Sequence, residues 1–249
     1  MKLLVCLGNV PDTTTKVKFS ADNTEFDTTG IQWVINPWDE LALTRALELK
    51  EDSSNPISHI SVATVGLIGA EPTMRKALAI GADDAIRVDL DAKDSAVVAS
   101  ELAEFIKTEQ FDIILCGLES SDYNGGAVGG MLAEYLDLPS VSGVSGMNFD
   151  GDNLVFNRDI DGGYEEVTIP SPLVAIVHKG IAKEPRIPAM RGIMMARKKP
   201  LKVLPASGQN GFTKMNSFEL PKPKPPCKMV EPEEVSKLVD LLQNEAKVL

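Results

Sequence analysis

Cysteine, histidine and aromatic residues are scarce in this chain of 249 residues, and each shortage removes a class of protein. The three cysteines, Cys6, Cys116 and Cys227, stand far apart with no CxxC pair, and His59 and His178 are the only histidines. Neither a disulfide framework nor a zinc site is therefore expected. Aromatics reach only 5%, which leaves aliphatic side chains and alanine to fill the core, as in parallel sheets covered by helices on both faces. No apolar run approaches the roughly 20 residues of a membrane span, and Met1 and Lys2 lead straight into a strand-like segment without the pattern of a cleavable signal. Such a chain is expected in the cytosol or inside an organelle, without membrane insertion. Bases are also in deficit. The 25 Lys and Arg against 36 Asp and Glu give −11, a surface that repels DNA, RNA and anionic lipid and argues against general nucleic-acid binding.

Catalytic motifs are missing as well. No Ser-His-Asp motif is recognisable, no GxGxxG is present, and no GK[ST] follows the one glycine-rich loop. Glu165-Glu166 and Asp83-Asp84 read as solvated turns and edges, and the two histidines as core or surface residues. A carrier or binding protein is favoured over a hydrolase, with no catalytic residue assigned.

What is present is a regular alternation of strand and helix patterns. Leu3 to Leu7 is an apolar run ending at Gly8 and the turn-rich Asn9 to Asp12, which reads as a first buried strand and a loop. Asp39 to Lys50 carries apolar residues at helical spacing, with acids at its start and a base at its end. Ile60 to Val65 reads as a strand before a helix at Glu71 to Ile80, whose Pro72 suits a first turn. Ala85 to Val88, a helix from Ser95 to Thr108, a strand from Phe111 to Cys116 and a helix within Gly126 to Leu136 continue the series. The predicted fold class is α/β, a doubly wound, mostly parallel sheet, because parallel neighbours need crossover helices. Leu154 to Ile160, an Asp161-Gly162-Gly163 turn, Tyr164 to Ile169 and Leu173 to Val177 read as an antiparallel hairpin with a third strand. An α/β domain is thus predicted over 1–205, with the hairpin at 154–178. Residues 206–249 read as a Ser/Gly/Asn stretch from Ser207 to Gly211, a linker from Pro221 to Pro226, and a final helix from about Glu233 to Lys247 suited to packing on a partner chain.

Three places could carry function. The loop Gly117-Leu118-Glu119-Ser120-Ser121-Asp122-Tyr123-Asn124-Gly125-Gly126-Ala127-Val128 leaves a strand and opens a helix. Its glycines allow backbone N–H groups to approach an anion at a helix N-terminus, or they allow close helix packing. Asn36-Pro37-Trp38-Asp39 joins an extended segment to a helix; Asn36 bonds a ligand or the turn, Trp38 stacks on a ring or fills the core, and Asp39 caps the helix. Cys6 and Cys116 lie in apolar strands and read as inert packing residues. Residues 179–202 hold eight bases against Glu184 alone, a local +7 that leaves −18 for the rest of the chain. Ile187, Met190, Ile193, Met194 and Met195 are interleaved with those bases, a composition suited to docking on acidic protein surfaces.

Several segments in fixed order resemble the electron transfer flavoprotein beta subunit. They are Arg158-Asp159-Ile160-Asp161-Gly162-Gly163-Tyr164-Glu165-Glu166 followed by Pro172-Leu173-Val174-Ala175, together with Asn36-Pro37, Lys76 to Asp83, and Glu184-Pro185-Arg186 through Met194 to Lys199. The resemblance spans about residues 1–205. It implies an electron carrier and not an enzyme: a heterodimer with an alpha subunit that holds most of one FAD, while this chain binds AMP structurally. It implies an AMP pocket formed by Cys6, Asn36 to Asp39, Val65 and Gly117 to Val128, with Thr13, Trp38 and Asp159 near the flavin. It also implies a partner-recognition loop at about 183–199, in which Met190 takes the place of an apolar anchor beside Arg191, Arg197 and Lys198. Its partners would be acyl-CoA and related dehydrogenases of fatty acid β-oxidation and a quinone oxidoreductase, and its location the bacterial cytoplasm or the mitochondrial matrix. Some members of that family hold a second FAD in place of AMP and bifurcate electrons; the loop here departs from theirs apart from Val128-Gly129. A stand-alone adenine-nucleotide-binding module is the other reading, which the hairpin signature and the long tail oppose.

Overall fold

Alternation along β1 (Lys2–Cys6) sends Leu3 and Val5 to one face and Leu4 and Cys6 to the other, and all four are buried. A strand buried on both faces needs helices on both sides, and that requirement organises the molecule. The structure is a computed structural model that describes residues 1–151, 153–224 and 226–249. After β1 come β2 (Asn9–Pro11), β3 (Trp33–Ile35), α1 (Pro37–Glu51), β4 (His59–Val65), α2 (Glu71–Ile80), β5 (Asp84–Asp89), α3 (Ser95–Ile106), β6 (Ile113–Gly117) and α4 (Val128–Leu136). The chain continues with β7 (Ser140–Asp150), β8 (Asn153–Ile160), β9 (Gly163–Ile169), β10 (Leu173–Val177), α5 (Met190–Ala196), β11 (Leu201–Pro205) and α6 (Val235–Asp240).

Among the described residues nine strands form one sheet in the order β11-β5-β4-β1-β6-β10-β7-β8-β9, and β2 pairs antiparallel with β3 outside it. The seven strands from β11 to β7 are parallel, and β8 and β9 add an antiparallel hairpin. From β1 the chain builds outward through β4 to β5 and then returns to place β6 on the other flank of β1. This reversal opens a crevice beyond the carboxyl ends of β1 and β6. One core cluster joins α1 and α2 to the first face through Leu43, Leu47, Met74 and Leu78; the other joins α3 and α4 to the second through Leu102, Ile106 and Leu132.

Several readings change. Asn9–Pro11 is strand β2 and not loop, because Trp33 to Ile35 supplies its partner across a 21-residue excursion. β10 is not a third antiparallel strand: its unbroken Leu-Val-Ala-Ile-Val run lies between β6 and β7, parallel to both. The third antiparallel partner is β7, whose small and polar residues concealed it, and whose register against β8 shifts between Val144 and Gly146. The edge strand β11 was likewise hidden among the bases that follow α5. The predicted linker from Pro221 to Pro226 includes Pro225, which lies outside the described residues. The final helix is shorter than predicted, α6 followed by a wider helical turn at Leu241–Glu245, and none of its residues is buried. Among the described residues no helix is long and apolar enough to cross a membrane.

Candidate functional site

The crevice holds a cavity of about 500 Å³, within the range of about 300–1,000 Å³ usual for small-molecule sites. It is lined from the strand ends by Cys6, Leu7 and Gly8 after β1, Val65 at the end of β4, Ala92 to Ser95 after β5, and Cys116 to Ser120 at the end of β6. Asn36 and Asp39 line it from the start of α1, Val98 and Leu102 from α3, and Asp122, Tyr123 and Gly125 to Val128 from the loop before α4. Thr213 and Met215 reach it from the segment after β11. Lys93 is the one cationic side chain among the described lining residues.

Two buried side chains brace this wall. Asp39 leaves its own helix uncapped and crosses the crevice: Oδ2 accepts the Gly8 N–H at 2.7 Å and Asn36 Nδ2 at 3.1 Å, while Oδ1 accepts the Gly117 N–H at 2.8 Å. The ends of β1 and β6 are thereby tied to one carboxylate. Burial pushes that carboxyl up from 3.8 to about 6, against the opposing pull of the Gly8, Asn36 and Gly117 donors. Asn36 donates to the Glu119 carbonyl at 2.9 Å and accepts the Ser121 N–H at 3.1 Å, which fixes the turn after β6. Both residues therefore hold the loop in place, where the sequence suggested a helix cap for Asp39. Gly117 is required by this crossing, since a Cβ there would lie 2.3 Å from Asp39 Oδ1 and 2.6 Å from the Trp38 Cβ. Contact with Cys116 and burial both push the Cys6 thiol up, so it stays neutral and acts as an apolar wall.

The loop from Gly117 to Val128 delivers most of its residues to the cavity. Gly126 adopts φ +54, and α4 begins behind it at Val128, with Ala127 at the N-cap position supplying no side-chain cap. The first N–H groups of that helix are left to another acceptor. Gly129 packs instead of binding, because a Cβ would meet Ile176 Cγ1 at 2.7 Å. The packing reading of the glycines thus applies at Gly129.

Pro37, Trp38, Ser121 and Asn124 do not line the cavity. Pro37 starts α1, and Asn124 turns the loop at φ +52. Trp38 stacks on His178 at 5.6 Å; His178 Nδ1 lies 3.7 Å from Asp159, whose Oδ1 accepts the Ser145 hydroxyl at 2.5 Å. Trp38 and Asp159 therefore share a second polar cluster at the base of the hairpin, whereas Thr13 lies on an exposed turn after β2. Sequence reasoning missed Lys93 and Asp94, in the loop between β5 and α3 where Asp94 caps the helix, and Thr213 and Met215, which no strand–loop–helix motif marks.

The basic segment contains helix α5 where a loop was predicted. Gly192 brings α5 against α2, with a Cβ there falling 2.3 Å from the Ala79 carbonyl oxygen. Arg75 donates to the carbonyls of Ala196 and Lys199, and Lys199 Nζ donates to those of Leu78 and Ala82. Lys199 and Arg186, the latter paired with Glu51 at 2.7 Å, are thus structural cations. Met190 is 74% exposed, and Ile187, Ile193, Met194 and Met195 are exposed beside it, with Arg191, Arg197 and Lys198 on the surface.

Comparison with known proteins agrees with this architecture. Residues 24–208 match the model of the electron transfer flavoprotein domain. The chain is 35% identical to the electron transfer flavoprotein subunit beta of Bacillus subtilis over the full length of both proteins. It is 34% identical to that of Syntrophomonas wolfei over all of this chain and 98% of the relative, and 31% identical to that of Bos taurus over 83% and 82%.

Proposed function

Since the chain belongs to the electron transfer flavoprotein beta-subunit family, we propose that it serves as the AMP-binding subunit of a two-subunit electron carrier whose alpha subunit holds most of one FAD. The observation that carries the AMP assignment is the uncapped start of α4 behind Gly125-Gly126, facing a cavity whose lining includes Lys93 and the apolar side chains of Val65, Val98 and Leu102. An anionic phosphate suits the first, since helix amides and a lysine favour negative charge. A flat, weakly polar purine suits the second. The strand-end backbone at Gly8, Gly117 and Leu118 offers fixed hydrogen-bonding groups to either end of such a ligand.

FAD, when bound at the subunit interface, supplies the redox chemistry, and this chain's part is to position and to dock. Trp38, His178 and Asp159 form a polar and aromatic surface near the hairpin base that suits the approach of a flavin held by the other subunit. Met190 and its neighbours on α5 suit insertion into a pocket of a dehydrogenase such as an acyl-CoA dehydrogenase, with Arg191, Arg197 and Lys198 steering the encounter. Electrons then pass onward to a quinone oxidoreductase, and the chain breaks no bond of its own. Occupation by a second FAD, with electron bifurcation, and a stand-alone nucleotide-binding role are the competing readings. Co-expression with the alpha subunit decides between a carrier and a stand-alone module. A yellow heterodimer of one copy of each chain is expected, and a colourless homodimer that retains nucleotide would overturn the assignment.

A further inference from the structure

We propose that residues 207–215, between β11 and the C-terminal arm, form an outer wall of the nucleotide site, so that binding of an adenine mononucleotide and docking of the arm onto the body stabilise each other. The proposal rests on the nucleotide reading above. It starts from two carboxylates, one within α3 and one at its N-cap. Glu101, only 2% exposed, accepts three consecutive backbone N–H groups, from Ser207 at 2.7 Å, Gly208 at 3.1 Å and Gln209 at 3.3 Å. Gly208 makes this curl possible at φ +85, in the left-handed region that favours glycine. Burial raises the Glu101 carboxyl, but the Ser207 and Gln209 donors outweigh it and leave it below its ordinary value, so it stays ionised and gripped.

Asp94 makes the second latch. Its Oδ1 caps α3 by accepting the N–H groups of Ala96 at 2.8 Å and Val97 at 3.2 Å, and its Oδ2 accepts the Thr213 N–H at 2.7 Å together with the Thr213 hydroxyl. The Thr213 hydroxyl first, then the backbone donors, draw the Asp94 carboxyl down to about 2. Gly211 lies so close to Asp94 and Val97 that a Cβ would come within 3.2 Å of both. These contacts leave Thr213 and Met215 in the lining of the cavity. Beyond it, the Phe218 N–H donates to the Asn23 carbonyl at 2.8 Å and the Phe218 ring stacks on Phe19 at 4.9 Å. The strap thus runs from α3 past the cavity to the excursion between β2 and β3, and the described residues of the arm past it are mostly exposed. A ligand that fills the cavity touches the strap, and by linkage any strap contact that strengthens AMP binding is itself strengthened by AMP.

Lys214 sits inside the strap, which gives a direct readout. The test measures AMP binding by calorimetry on the nucleotide-free full-length chain, its Thr213→Ala and Met215→Ala variants, and Phe212→Ala, whose side chain is 81% exposed. In parallel, tryptic cleavage after Lys214 is followed by the mass of the 1–214 fragment with and without AMP. The expected result is AMP affinity weaker by about fivefold or more, the lower end of typical coupling, in the first two variants only, together with slower cleavage of the wild type when AMP is present. Wild type and variants binding AMP alike, with cleavage indifferent to AMP, would overturn the wall while leaving the nucleotide reading standing. A wild type that binds no AMP would overturn the reading of the cavity and the wall with it.

Discussion

Replacing Asp39 by asparagine probes the brace that holds the crevice open. Its carboxyl lies at about 6 in the folded chain against an ordinary 3.8, with burial as the leading cause and the donors from Gly8, Asn36 and Gly117 opposing it. A carboxyl raised in this way binds its proton more tightly when folded than when unfolded. The stability it contributes is therefore complete below about 3.8 and is lost as pH rises through about 6. The gap of about two units corresponds to roughly 3 kcal/mol of stability at low pH, about half of which is lost between about pH 5 and about pH 7.5. The substituted side chain does not titrate, though its amide sets a donor against one of the three N–H groups, so the change with pH and not the absolute difference is diagnostic. Urea unfolding at the two pH values should show the wild type gaining about 1.5 kcal/mol on Asp39→Asn at the acidic one. A wild-type-to-variant difference that stays constant across that window would refute a buried, strand-bridging carboxylate at this position.

Gly117→Ala should lower stability by about 1–3 kcal/mol by overpacking and weaken AMP binding, because its Cβ would fall on Asp39 Oδ1 and the Trp38 Cβ; unchanged unfolding and binding would count against the brace. Gly192→Ala must push α5 away from the Ala79 carbonyl, so amide exchange should rise in α5 while β1 stays protected, and equal protection in both would contradict that packing. Met190→Ala removes an exposed side chain and should change stability by no more than about 0.5 kcal/mol. It should nonetheless slow electron transfer from a cognate dehydrogenase, and an unchanged rate and affinity would exclude it as the anchor. The same rate should fall with added salt if the bases of that surface steer the encounter.

Much of the parallel half of the fold was legible because its signals are local. The apolar run of β1 ending at Gly8 and the Pro72 start of α2 each announce their element within a few residues. The loop after β6 was legible as a site because a strand, a glycine-containing turn and a helix start follow one another. β7 was not, since only Val141, Val144 and Met147 along it are buried and a register shift breaks their alternation. β10 carried the continuous apolar run of a strand buried on both faces, but its position after a hairpin suggested the wrong neighbour. The strap was invisible for a different reason. Ser207 to Gly211 has the composition of a loop, and the carboxylates that hold it, Asp94 and Glu101, stand more than 100 residues earlier in the chain.

Whether the crevice between β1 and β6 holds AMP while the alpha subunit holds the flavin is tested most directly by counting the cofactors. Acid extraction of the purified heterodimer, followed by mass spectrometry of the released nucleotides, should give one AMP and one FAD per pair of chains. Two FAD and no AMP would contradict that arrangement and place a second flavin in the cavity.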